Sequence, residues 1–212
     1  MSPPLIKICG LRTPEAIFAA TEAGATHIGL VHYPPSSRHV SLVDAAALRK
    51  IVPSSLKTVL LLVSMEAREA AEAIAAVKPD VVQFHGAESP EGCAMFRQIV
   101  PAEVWKAVGV KDVGAMARAQ DYVGTVDRIL YDAPAVTMPG GQGLALDWKL
   151  LAGYPHRAPW GLAGGLNPDN VAEAIRVTGA PLVDASSGLE SAPGVKDIDK
   201  IAAFCQAARA AG

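Results

Sequence analysis

No stretch of this sequence is apolar for long enough to cross a membrane. The longest strongly apolar run, residues 58–63, is the length of a strand, against the roughly 18–20 residues that a spanning helix needs. The N-terminus lacks the basic start and apolar run of a signal peptide. Excess charge is lacking too: the formal net charge is −2 and there is no basic run, which argues against nucleic acid as the main partner. Cysteine is scarce. Cys9, Cys93 and Cys205 are odd in number and far apart, and form neither a metal-ligand cluster nor a disulfide framework. These absences point to a reduced, soluble, cytoplasmic protein with no metal site and no membrane or nucleic-acid partner. No linker or low-complexity segment divides the 212 residues, half of which are hydrophobic. That length supports one substantial core, and residues 1–212 read as a single domain.

What is present is alternation. Short β-rich runs at 5–9, 27–31, 57–63, 80–84, 104–108, 128–131, 159–163 and 182–185 alternate with Ala-rich amphipathic stretches at 14–23, 42–51, 66–77, 90–99, 113–119, 147–151, 168–177 and 197–208. Thr13-Pro14-Glu15, Ser89-Pro90-Glu91 and Asn167-Pro168-Asp169 each read as an N-cap, a proline at the first helical position and an acid in the first turn. Ser41 with Asp44 resembles a capping box. Such a pattern predicts a parallel sheet covered by helices, and about eight units in a row favour a closed (β/α)8 barrel, a TIM barrel, over an open sheet.

In such a barrel the chemistry lies at the C-terminal ends of the strands. Side chains alternate along a strand, so Lys7 and Cys9 share one face of the first strand while Ile6 and Ile8 share the other. Gln83 and His85 share a face at the tip of the fourth strand, and Asp132 ends the sixth. His85 reads as a hydrogen-bonding wall residue rather than a base. Asp132 reads either as a turn cap or as an acid–base group. Asp184, on the eighth strand, should face Lys7 on the neighbouring first strand, because a buried lysine and a buried aspartate need partners. Gly164-Gly165 after strand seven and Ser186-Ser187-Gly188 after strand eight suit an anion: backbone N–H groups, hydroxyls and the start of a following helix can all face it. Gly140-Gly141-Gln142-Gly143, within the long 133–146 loop, is a third glycine-rich stretch, read as a lid or part of the same cradle. Tight turns are the alternative use of such glycines. Arg38, on the Pro-rich loop after strand two, either forks a carboxylate or is simply solvated.

Taken in order, Lys7-Ile8-Cys9-Gly10, Ser36-Ser37-Arg38, Val82-Gln83-Phe84-His85-Gly86, Gly140-Gly141-Gln142-Gly143, Leu162-Ala163-Gly164-Gly165-Leu166-Asn167-Pro168 and Val183-Asp184-Ala185-Ser186-Ser187-Gly188-Leu189-Glu190 resemble the phosphoribosylanthranilate isomerases of tryptophan biosynthesis, over essentially the whole chain. The resemblance implies a cofactor-independent Amadori rearrangement of N-(5-phosphoribosyl)anthranilate to 1-(2-carboxyphenylamino)-1-deoxyribulose 5-phosphate. It places the general base on Cys9, the general acid on Asp132 and the anthranilate-carboxylate ligand on Arg38. Gln83, His85, Gly141, Gly143, Gly164, Gly165, Asp184, Ser186 and Ser187 complete the implied substrate site. A monomer or homodimer is expected.

A base at Cys9 must act as thiolate, for which Lys7 and the start of the following helix are sources of positive potential. The sequence departs from the family pattern at His32-Tyr33-Pro34, where a Phe-led segment is usual, at Gln142, where a small hydroxyl residue is usual, and at Ala185, where Val is commoner. Two alternatives stand beside this reading. One is another sugar-phosphate enzyme on the same barrel, the histidine-pathway sugar isomerase or indole-glycerol-phosphate synthase. These would use two carboxylates or strand-tip lysines, whereas strand one here ends in Cys9 and Lys7 lies one pleat deeper. The other is a binder of phosphorylated metabolites without turnover.

Overall fold

The computed structural model describes residues 3–134 and 146–212. Gly141 and Gly143, like the rest of the glycine-rich stretch 140–143, lie outside the described residues.

Eight parallel strands close into a barrel in chain order. They are β1 (Leu5–Cys9), β2 (His27–His32), β3 (Lys57–Leu62), β4 (Val81–Phe84), β5 (Glu103–Gly109), β6 (Arg128–Asp132), β7 (Trp160–Leu162) and β8 (Leu182–Ala185). The (β/α)8 expectation therefore holds. Helices α1 (Pro14–Glu22), α2 (Leu42–Ile51), α3 (Ala67–Val77), α4 (Pro90–Ile99), α5 (Val113–Ala119), α6 (Val171–Thr178) and α7 (Ile198–Ala210) cover the outside. Closure is made by β1 against β8, in a register that sets Lys7 opposite Asp184.

Three caps form as the sequence dictates. Thr13, Ser41 and Ser89 each accept a backbone N–H from three residues on, at 3.3, 3.1 and 3.2 Å. The stretch 147–151 makes only a short 3-10 turn, Trp148–Leu150. The helix expected at 168–177 begins at Val171 instead. Asn167 does not cap it: its Oδ1 accepts from the N–H groups of Asp169 and Asn170, closing a local turn that spends those donors ahead of the helix. After β8 the chain makes a 3-10 turn at Ser187–Leu189 and a hairpin of β9 (Glu190–Ala192) and β10 (Val195–Lys196) before α7 starts.

Alternation sorts the side chains into two cores. Ile6 and Ile8 of β1 face the helices with the main apolar cluster. Val59, Val81, Trp105, Ala107, Leu130 and Leu182 fill the barrel interior. Nearer the mouth the interior turns polar, with Lys7, Gln83 and Asp184 all buried. Among the described residues no helix is long and apolar enough to cross a membrane.

Candidate active site

A cavity of about 390 Å³ opens at the C-terminal mouth of the barrel. Cys9, Arg38, Gln83, His85, Asp132, Gly164, Gly165, Asp184, Ser186 and Ser187 all line it. Every site residue expected from the sequence that falls within the described part is thus brought to one pocket. Val31, Tyr33, Leu61 and Val63 complete one wall; they pack with Cys9 into a small apolar cluster at the mouth. The His32-Tyr33-Pro34 departure falls at this wall: Tyr33 lines the pocket and His32 does not, its Nδ1 lying 2.9 Å from the Val40 carbonyl.

The floor of the pocket is an ion pair. Lys7 Nζ lies 2.6 Å from Asp184 Oδ2, with side-chain exposures of 0% and 8%. Burial alone would push the Lys7 ammonium down, but Asp184 and Cys9 outweigh it and hold its pKa above the ordinary lysine value. Cys9 sits one pleat above. Burial pushes its thiol above the ordinary value, and Lys7 and Lys196 pull only partly back. Cys9 is therefore a thiol at neutral pH: positive neighbours are present, as the sequence leads one to expect, but desolvation wins.

Asp132 stands at the tip of β6. Its Oδ1 accepts from the Ala133 N–H at 2.7 Å and its Oδ2 lies 3.2 Å from His85 Nε2. Gln83 Nε2 lies 3.3 Å from His85 Nδ1, so a proton on Nε2 lets the imidazole accept from Gln83 and donate to Asp132. Gly164 keeps this corner open. Its φ is +84°, and a Cβ there would lie 2.3 Å from the Ala133 nitrogen and 2.9 Å from Asp132 Oδ1. Two acceptors that line the pocket, Asp184 Oδ1 and Gln83 Oε1, are buried without a hydrogen-bond partner among the described residues.

Arg38 reaches the pocket edge beside Gly10, whose φ is +78° and where a Cβ would lie 2.7 Å from Arg38 Cδ. Its Nε and Nη2 are forked onto Glu190 Oε1 and Oε2, both at 2.7 Å. Glu190 also receives Lys196 Nζ at 2.8 Å, and together these cations hold its carboxyl down at about 2 despite the opposing push of burial. Lys196 in turn bonds the Ser186 carbonyl at 2.9 Å, and Ser186 Oγ donates to the Cys9 carbonyl at 3.1 Å. The sequence argument assigned neither Glu190 nor Lys196 a role. The signal that could have found them is the placement of both just after Ser186-Ser187-Gly188, which keeps them beside the mouth.

A closed eight-stranded barrel with a thiol, a hydrogen-bonded carboxyl and paired glycine and serine loops around one mouth pocket defines the class: a (β/α)8-barrel enzyme. A family model described as N-(5'phosphoribosyl)anthranilate (PRA) isomerase matches residues 6–207. The N-(5'-phosphoribosyl)anthranilate isomerase of Erythrobacter litoralis is 60% identical over 205 residues, covering 97% of this chain and 98% of that one. The crystal structure of phosphoribosyl anthranilate isomerase from Thermotoga maritima superposes with a TM-score of 0.90 at 36% identity, covering 98% and 99% of the two chains. Another phosphoribosyl anthranilate isomerase structure, solved with reduced 1-(o-carboxyphenylamino)-1-deoxyribulose 5-phosphate, gives 0.87 at 35%, with the same coverage. The chain belongs to the phosphoribosylanthranilate isomerase family.

Proposed function

We propose that this chain converts N-(5-phosphoribosyl)anthranilate to 1-(2-carboxyphenylamino)-1-deoxyribulose 5-phosphate in tryptophan biosynthesis, by general acid–base catalysis and without a cofactor. The observation that carries the reading is that Cys9 and Asp132, tips of strands far apart in sequence, line one pocket. Asp132 gives its proton to the furanose ring oxygen as the C1–O bond opens. The Ala133 N–H and His85 then hold the carboxylate left behind. Ring opening leaves a protonated Schiff base, whose positive charge favours the thiolate form of Cys9, the thiol proton passing to solvent. That thiolate removes the proton on C2, and the enolamine tautomerises to the ketone.

The remaining groups fit the rest of the substrate. The N–H groups of Gly164 and Gly165 with the hydroxyl of Ser187 serve as phosphate donors, joined by the Ser186 hydroxyl when it leaves the Cys9 carbonyl. The unpartnered Asp184 Oδ1 and Gln83 Oε1 supply acceptors for sugar hydroxyls. Tyr33, Val31, Leu61 and Val63 make a wall for the aromatic ring, and Arg38 keeps an edge for the carboxylate. Gly141 and Gly143 are assigned to the substrate site on their sequence alone. All named groups come from one chain, so the reading needs no shared site; we assign a monomer or homodimer in the cytoplasm.

The test is turnover. The fluorescence of phosphoribosylanthranilate should decay on addition of the protein, while the aminoaldose phosphate of the histidine-pathway isomerase should not be consumed. Binding of the reduced product analogue without decay would make the chain a binder and overturn the reading.

A further inference from the structure

The residue whose side chain makes the densest set of charged contacts around the pocket does not itself line it. Glu190 begins β9, directly after the 3-10 turn that follows β8. Its side chain is 5% exposed. Oε1 accepts from Arg38 Nε at 2.7 Å and from Lys196 Nζ at 2.8 Å; Oε2 accepts from Arg38 Nη2 at 2.7 Å and from the Gly194 N–H at 3.2 Å. A carboxylate has about four lone-pair sites, so Glu190 is saturated and holds nothing in reserve for a ligand. Helix α7 fixes it from behind, with Lys200 Nζ on the Glu190 carbonyl at 2.8 Å.

Arg38 is the complementary case. A guanidinium has about five N–H donors in a rigid plane, and Glu190 takes those on the Nε/Nη2 edge. The Nη1/Nη2 edge has no other partner among the described residues, on a side chain that lines the pocket and is 25% exposed. Because the guanidinium is planar, gripping one edge at two points orients the other. The charge arithmetic agrees: among the described residues, two cations share this one carboxylate, which leaves the cluster with one net positive charge.

We propose that Glu190 is a positioning residue for carboxylate recognition: by gripping one edge of the Arg38 guanidinium it aims the other at the carboxylate of the substrate's aromatic ring. The inference rests on the function proposed above. It makes Glu190 a determinant of which aromatic amine the site accepts, with no contact to the substrate itself.

The test compares two ligands. One is the reduced product analogue, reduced 1-(o-carboxyphenylamino)-1-deoxyribulose 5-phosphate; the other is the same compound lacking the ring carboxylate. Glu190→Asp keeps the charge but withdraws it by one methylene, breaking the two-point grip. Glu190→Gln keeps the length and serves as the second variant should the first fail to fold, with thermal unfolding checking both. The variant should weaken binding of the carboxylate-bearing analogue about tenfold or more and leave the other within about twofold. Equal weakening of both, or no change in either, overturns the inference and leaves the proposed function standing. Wild-type protein that binds both analogues equally also overturns it. Wild-type protein that binds neither overturns the proposed function as well.

Discussion

His85 Nε2 faces Asp132 Oδ2 at 3.2 Å, and behind it Gln83 Nε2 lies 3.3 Å from His85 Nδ1. The imidazole is therefore oriented from one side and turned toward the acid on the other. In the proposed mechanism it supplies one of the two hydrogen bonds that stabilise the Asp132 carboxylate once the proton has left. His85→Ala removes that bond and should lower kcat by about ten- to a hundredfold, the worth of one hydrogen bond to a charged group. Steady-state kinetics check it, and an unchanged kcat would make His85 a wall residue only.

Cys9 should show itself in the pH profile. Burial pushes its thiol above the ordinary value of 9.0, and only the thiolate accepts a proton. The thiolate fraction of the free enzyme therefore grows as pH rises, so kcat/KM should climb from neutral pH, with its midpoint above 9. A plateau already reached at pH 7 would mean that Lys7 and Lys196 overcome desolvation.

The Lys7–Asp184 pair should matter to folding as well as to substrate binding. Either Lys7→Met or Asp184→Leu leaves a buried charge without its partner and should cost about 3–5 kcal/mol in denaturant unfolding. Removing both together, as Lys7→Met with Asp184→Leu, should cost less than the two single losses combined.

This pair also marks what a sequence can tell. Lys7 and Asp184 are legible because alternation puts each on the inner face and barrel closure makes the first and last strands neighbours. The same logic gathers Cys9, Gln83, His85 and Asp132, since strand tips converge whatever the loops do. Arg38 is legible only as a residue. Its partner Glu190 is 152 positions away on a hairpin of two- and three-residue strands, too short to carry any periodicity. Asn167 and Asn170 are the same residue type, yet Asn167 closes a local turn on the Asp169 and Asn170 N–H groups and the helix starts after Asn170, whose side chain makes no capping bond. The thiol state of Cys9 was not legible either, because the cost of desolvation depends on burial that only the folded chain defines.

Acid should destabilise the fold in two stages. Burial, with Lys57, Lys7 and Arg128 nearby, holds His27 down at about 3, below its ordinary 6.5, so the unfolded chain binds the extra proton first and stability falls as pH drops below 6.5. Glu190, held at about 2 against an ordinary 4.5, contributes stability that is present above 4.5 and is lost as pH falls through about 2. Thermal unfolding followed from pH 7 to pH 2 should decline throughout, and Glu190→Gln should flatten the part below 4.5. A stability independent of pH over that range would contradict both assignments.

The most direct measurement is turnover of N-(5-phosphoribosyl)anthranilate by Cys9→Ala beside the wild type, with binding of the reduced product analogue measured in parallel. Loss of the general base should cost about 10²- to 10⁴-fold in kcat while the analogue still binds and the fold stays intact. Near-normal turnover by Cys9→Ala would contradict the account, because no thiolate would then be taking the proton from C2.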